Sequence, residues 1–498
     1  MANPPPKIRW AVFVVIALLA LAVRLPHLGE RPMHTDESVN AYITGGLLAG
    51  EKYRYDPQDR HGPALYILAK PVAQFGGAKN FSELTESQLR LSTVLAGTLT
   101  VLLLGAGVEM FGFIPCLIAA LLFAFAPLPV YYNRYFIHET LFVAATLGLI
   151  LSGGRAWQKK NRSSAALAGF CAALMLACKE TAVIHFFALG LAAAIGWRFQ
   201  ASRKIPPIRM WLTAALTFLV AAVLLFTWGG QNWSALADLL HAVPNFTARA
   251  GGQGHEKSFW YYARLLAGGW SGAAILIVAL IGFFRASRSP ASGARFAFAI
   301  YALLIATIYS AIPYKTPWLA LNFWLPITIL TGIAVEWLWL ARPRVSARAL
   351  ILVFIAAIGF LIVHDTRERA FQIPADEKNP YAYAHTGEDL LRLAPRLAEL
   401  ARQDNLSDPR IAVVAADAWP LPWYLRKFSQ AGFWQPGTET GPADFFITTT
   451  DVPGRLAEQL KDFRPEFFGA RPNVLLILWS PVTTNAATEA APSSPTPP

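Results

Sequence analysis

Asp36 and Glu37 stand side by side in MHTDESVNAY (residues 33–42), ten residues after an apolar run of membrane length. Adjacent carboxylates repel each other, and a lipid surface is a poor place to hold either. Comparable polar pieces recur along an otherwise apolar chain. EKYRYDPQDRHGPALYIL (51–68) carries His61, and YYNRYFIHET (131–140) carries Arg134, His138 and Glu139. ACKETA (177–182) supplies Lys179 and Glu180, IPYKTPW (312–318) supplies Lys315, and GGQGHEKSFWYY spans 251–262. A carboxylate can take a proton from a hydroxyl, and a lysine or arginine can hold a phosphate as it gains charge. Carboxylates with two or three cations at a membrane surface therefore suit transfer from a lipid-linked phosphate to an acceptor hydroxyl.

Taken singly, each residue has a plainer reading. A charge at a helix end marks the interface and snorkels to water, which would account for Lys179 or Lys315 alone. His185 and Glu336, each single in an apolar run, read as satisfied interior groups, and Trp260 and Tyr261 as part of an aromatic belt. Asp36, His138 and Glu139 could hold a divalent cation with His34 or His61, but their positions show no ligand spacing. The cofactor is thus undetermined, with a divalent metal as one option. The joint pattern is more specific, because short connections bring all these groups to one end of a helix bundle.

The elements that must position them are helices. The 498 residues are 55% hydrophobic and 15% charged, which excludes an ordinary soluble protein of this length. Eleven apolar runs recur, near 10–26, 91–108, 113–131, 140–153, 164–178, 182–197, 211–229, 268–284, 297–312, 318–340 and 349–364. The first is not a cleavable signal, since no small-residue cleavage site follows and Arg24, Pro26 and His27 continue into MHTDE. The N-terminal tail and the connections 154–163, 198–210, 285–296 and 341–348 hold sixteen Lys and Arg and no acid. The positive-inside rule places them in the cytoplasm, so the net charge of +12 orients the chain and needs no nucleic acid. The connections 27–90, 132–139, 179–181, 230–267 and 313–317 then face outward, as does everything after residue 364. That last part carries 13 bases against 17 acids, the reverse balance.

The spacing predicts an α-helical multi-pass protein of the cell membrane, with its N-terminus cytoplasmic and domain boundaries at 364 and 481. Residues 1–364 form the transmembrane domain with its large first loop 27–90. Residues 365–481 form a small extracytoplasmic α/β domain, and 482–498 a disordered tail. In the α/β part, TGEDLLRLAPRLAELARQ and GRLAEQL have helical period, whereas RIAVVAA, DFFITTT and NVLLILW read as strands. The three cysteines lie in apolar runs and read as packing residues.

In HTDESVNAY, YDPQDRHGPALYIL, NRYFIHET, ACKETA, PYKTPWL and NPYAYAHT (379–386), together with this topology, the sequence resembles the GT-C superfamily of membrane glycosyltransferases. Its relatives there include the protein O-mannosyltransferases and the aminoarabinose transferases of lipid A. It looks most like an archaeal and bacterial family named for an association with flippase activity. The resemblance implies a polyprenyl-phosphate sugar donor, inversion at the anomeric carbon, and a glycan, lipid or protein as acceptor. It makes Asp36 the general base, Glu37 a second carboxylate orienting it, and Glu139 the second acidic position of the next outer loop. His61, Arg134, His138, Lys179, Glu180 and Lys315 would bind substrate, with Lys179 and Lys315 near the lipid phosphate. Two departures count against an oligosaccharyltransferase: there is no clear Asp-x-Asp and no Trp-Trp-Asp motif. Two other classes remain open, a flippase for lipid-linked sugar and a non-catalytic flippase-associated subunit. A flippase would place ionisable groups near the midplane and often repeat its halves, and neither pattern is visible.

Overall fold

The computed structural model describes residues 3–58, 60–199, 205–252, 254–288, 293–342, 344–452 and 454–482. The expected disordered tail thus falls almost wholly outside the described residues, as do Arg203 and Lys204 of one basic connection. All eleven apolar runs coincide with helices. Nine helices among the described residues are long and apolar enough to cross a membrane, and two shorter apolar helices, Phe113–Phe125 and Arg162–Cys178, occupy the remaining runs. The first of these stops where the backbone turns extended at Ala126, because Pro127 disfavours helix in the residue before it. A second short helix, Pro127–Tyr132, then completes the run.

The chain divides into two compact units. One comprises 1–29, 43–374 and 378–383, and the other 30–42, 375–377 and 384–498. In the first, the membrane unit, the segment Pro317–Ala341 is central, with 89% of its apolar window buried, whereas Val345–Gln372 is peripheral with 6%. Peripheral helices show which face meets lipid. On Ile208–Phe226, Ile208, Leu212, Leu216 and Val220 recur every four residues and are exposed, while Met210, Ala221, Ala222 and Phe226 are buried. Arg24 closes the end of Pro6–Arg24. Its guanidinium donates to the carbonyls of Ala20 (2.8 Å), Ala124 (2.9 Å) and Phe123 (2.6 Å), and so satisfies two carbonyls that the end of Phe113–Phe125 leaves without a helical partner.

The charged pairs of this unit sort by end. Glu109 meets Lys159 (2.8 Å) and Arg155 (3.8 Å), and Glu336 meets Arg295 (2.6 Å), all beside the basic connections. Glu139, Lys179, Glu180 and His61 gather at the other end. The alternation of connections read in the sequence is the one the helices produce.

The second unit holds a five-stranded sheet: β1 (Ile411–Val414), β2 (Ala431–Trp434), β3 (Phe445–Thr449), β4 (Phe463–Arg471) and β5 (Val474–Pro481), in the order β2-β1-β3-β5-β4. β1 pairs in parallel with β2 and β3, and β5 is antiparallel to β3 and β4. The helix Leu393–Gln403 buries Leu393, Leu397, Leu400 and Ala401, and its Arg396 forms a fork on Glu466 of β4 at 2.8 and 2.7 Å. The sequence reading had the helical segments and β1, β3 and β5, and it missed β2 and β4. Both are edge strands, where a Gly (AGFW) or a Pro with charges (FRPEFFGAR) is tolerated and blurs the alternation.

Candidate active site

The acidic pair opens the helix Thr35–Leu48 and lies in the second unit. The helix starts at His34, whose carbonyl accepts from the Ser38 N–H at 2.9 Å. Glu37, three residues on, reaches back to accept the His34 N–H at 3.2 Å, and the His34 ring accepts the Asp36 N–H on Nδ1 at 3.0 Å. This is a reciprocal cap with histidine in the place of serine or threonine. Glu37 is fully buried and also faces Arg31 Nη2 at 3.4 Å. Asp36 sits one position earlier and is only partly buried. Two adjacent carboxylates of the same helical turn are thus put to different uses: Glu37 holds the helix start and Asp36 stays accessible. Both also stabilise the positive end of the helix dipole.

In the membrane unit three connections meet around one glycine. A Cβ at Gly62 would lie 2.3 Å from the Ala177 carbonyl oxygen, so this close approach requires glycine. The Gly62 carbonyl accepts from His138 Nε2 at 3.1 Å, which ties the 131–140 connection to the same point. His61 Nδ1 then reaches Glu180 at 2.9 Å, and Tyr55 donates to the same carboxylate at 2.8 Å. Burial pushes the Glu180 carboxyl up, but His61, the local backbone and Tyr55 outweigh it and hold it at about 2. Burial, with the neighbouring His61 and Lys179, pushes His138 well below the usual histidine range, so its imidazole is neutral.

Lys179 and Glu139 form a closely bonded, buried ion pair. Burial lowers the lysine, yet the Glu139 carboxylate, with Tyr314 and Glu180, raises it above the ordinary range and secures its charge. His61, Lys179, Glu180, Thr181, Tyr309 and Tyr314 line a cavity of about 90 Å³. Ile184, Ile312 and Leu319 complete its wall, so a cation, an anion and three hydroxyls meet in a small, largely apolar chamber.

Two of the expected residues are engaged elsewhere. Arg134 Nη2 donates to the carbonyls of Pro26 (2.8 Å) and His27 (3.0 Å), and its guanidinium lies 4.3 Å from the Phe371 ring centroid. Lys315 is buried, and its ammonium binds the carbonyls of Lys257 (3.2 Å) and Ile312. The PYKTP segment pairs with 255–257, through Lys257 N–H to Pro313 (3.1 Å) and Lys315 N–H to His255 (3.1 Å). Burial lowers Lys315 below the usual lysine range. It is Tyr314, the residue before it, that reaches the cavity. Of the atoms that could ligate a metal, His138 Nε2 is engaged by the Gly62 carbonyl and Glu139 Oε1 by Lys179. The one three-residue group of metal-ligating type among the described residues is His364, Asp365 and Glu368, which no sequence spacing had singled out.

Sequence reasoning overlooked Tyr55, Thr181, Tyr309 and Tyr314. Tyr55, Thr181 and Tyr314 lie inside polar pieces already singled out, whereas Tyr309 sits in an apolar run with no local signal.

A family model described as dolichyl-phosphate-mannose-protein mannosyltransferase matches residues 74–228. Among curated proteins no sequence match was found. Solved structures match over nearly the whole chain. ArnT from Cupriavidus metallidurans, bound to undecaprenyl phosphate, is 15% identical with a TM-score of 0.65, over 96% of this chain and 99% of that one. The oligosaccharyltransferase of Archaeoglobus fulgidus, in complex with zinc and sulfate, is 12% identical with a TM-score of 0.59, over 92% and 73%. The oligosaccharyltransferase AglB of Archaeoglobus fulgidus, in complex with an inhibitory peptide and a dolichol-phosphate, is 12% identical with a TM-score of 0.57, over 94% of this chain and 74% of that one. At such identities the likeness speaks for the fold, and it agrees with the helix order and the C-terminal sheet: this chain has the fold of the GT-C membrane glycosyltransferases.

Proposed function

We propose that the protein is a membrane glycosyltransferase that moves a sugar from a polyprenyl-phosphate carrier to an acceptor hydroxyl on the extracytoplasmic side, with inversion. The observation that carries this reading is the end-to-end match to an ArnT structure bound to undecaprenyl phosphate. Asp36 is assigned as general base, because it is the member of the acidic pair that the helix cap leaves accessible. It takes the acceptor proton as the new bond to the anomeric carbon forms and the bond from that carbon to the phosphate oxygen breaks. Glu37 orients it through the cap. The lipid phosphate leaves with increased negative charge, which a cation would stabilise. Within the membrane unit, Glu139 holds Lys179 and Glu180 holds His61. The acceptor is a glycan, a lipid or a protein. No step in this scheme is routed through a metal.

The test uses purified full-length protein in detergent with a polyprenyl-phosphate sugar, following donor loss and product by mass spectrometry. Asp36→Asn keeps the size of the side chain but cannot take a proton. It is expected to bind donor and lose turnover by roughly 10²-fold or more, with a smaller loss for Glu37→Gln. Near-normal turnover by Asp36→Asn would reject the base, and absence of donor consumption by the wild type would return the protein to the flippase or subunit class.

A further inference from the structure

A second cavity of the membrane unit lies away from the charged chamber. It runs between the helices Glu139–Lys159, Arg162–Cys178 and Ile208–Phe226 on one side and Ala182–Phe199 and Gly293–Ala311 on the other. Its volume is about 680 Å³, within the ~300–1,000 Å³ of ligand sites. Among the described residues, no charged side chain lines it. Along Ala182–Phe199 the lining extends from Phe186 to Trp197, roughly 16 Å at the rise of a helix. That is about half of a ~30 Å hydrocarbon core, the depth of one leaflet.

Both ends of this groove are defined. At the deep end Tyr301 lines it and shares a hydrogen bond with His185 Nδ1 at 2.9 Å, and His185 Nε2 meets Tyr309 at 3.1 Å. Tyr309 belongs to the wall of the charged chamber, so this buried Tyr-His-Tyr layer separates the two cavities. At the other end the lining runs into bases. Arg198 directly follows Trp197, Arg209 directly precedes Met210, and both arginines are exposed. Lys160 lies 5.7 Å from the Trp157 ring centroid, and Arg162 Nε is 3.4 Å from Thr213. Of the acids at this end, Glu109 is taken up by Lys159 and Arg155, and Glu336 by Arg295. The indole N–H of Trp197 is shut off from solvent and has no hydrogen-bond partner among the described residues.

We propose that this groove binds an anionic glycerophospholipid from the leaflet at the basic end, an acyl chain in the groove and the phosphate beside Arg198 and Arg209. Charge complementarity selects the headgroup, and the one-leaflet depth selects the chain. A prenyl carrier with its phosphate at the opposite end would have to pass the His185 layer to reach this space. The proposal does not depend on the glycosyltransferase reading.

The test titrates delipidated full-length protein in detergent with phosphatidylglycerol, phosphatidylethanolamine and polyprenyl phosphate, reading bound lipid by native mass spectrometry and the thermal midpoint. Phosphatidylglycerol is expected to bind best and to raise the midpoint. Arg198→Gln and Arg209→Gln should each weaken it by roughly fivefold. At Gly190 and Gly153 an added Cβ meets nothing within 4 Å, so Gly190→Leu or Gly153→Leu fills the groove and should abolish the retained lipid. Equal binding of both phospholipids, displacement by polyprenyl phosphate, or undiminished binding in the leucine variants would overturn the proposal. Should the leucine variants fail to fold, the arginine variants decide it alone.

Discussion

At the scale of residues, a single step along the helix separates the roles of Asp36 and Glu37. A side chain at the third helical position can fold back to the residue that starts the helix, and one at the second cannot. The pair itself was plain in the sequence. Its division of labour was not, because His34 stands where the capping signature expects serine or threonine. The Glu139–Lys179 and His61–Glu180 pairs were equally hidden, since their partners lie 40 and 119 residues apart. Glu180 allows a prediction about pH. Its folded value of about 2 lies below the ordinary 4.5, so the unfolded chain takes up the proton first as pH falls. The stabilisation, roughly 3 kcal/mol, is complete above about pH 4.5 and is lost as pH drops through the folded value. Thermal midpoints in detergent at pH 6 and pH 3 should therefore fall for the wild type by more than for Glu180→Gln. Equal falls would show that this carboxylate does not carry the acid sensitivity.

At the scale of elements, the apolar runs were legible because lipid demands long apolar helices whatever their partners. What was not legible is how the connections between them lock together, and Gly62 governs that. Its backbone lies against Ala177 while its carbonyl receives His138. A methyl group there overlaps backbone atoms that cannot rotate away. Gly62→Ala is expected to destabilise the protein by about 1–3 kcal/mol and to part His61 from Glu180. A lowered thermal midpoint would bear this out, together with a loss of the acid sensitivity assigned to Glu180. An unchanged midpoint would mean that the connection shifts without strain. The edge strands β2 and β4 make the complementary point: an edge has a partner on one side only, so its sequence is less constrained and less readable.

At the scale of the whole molecule, charge at the helix ends sets the orientation. The ion pairs of Glu109 with Lys159 and of His61 with Glu180 place these groups at opposite ends of the bundle, in line with the count of bases. The positive-inside rule then predicts which end meets the cytoplasm. Cysteines introduced at 158 or at 342 should react with an impermeant reagent only after the membrane is opened, and cysteines at 58 or 400 should react from outside. Labelling of position 158 in intact cells would invert the orientation and move the proposed reaction to the cytoplasmic face.

The carbonyl clasp of Arg24 has a consequence in time. Two of its three acceptors, Phe123 and Ala124, lie 99 and 100 residues further along the chain. At about 5–20 residues per second, a ribosome needs some ~5–20 s to supply them after Arg24 has emerged. Throughout that interval the guanidinium must find its hydrogen bonds in water or among lipid headgroups. The first helix therefore cannot settle to its final depth on its own, and its seating waits for Phe113–Phe125.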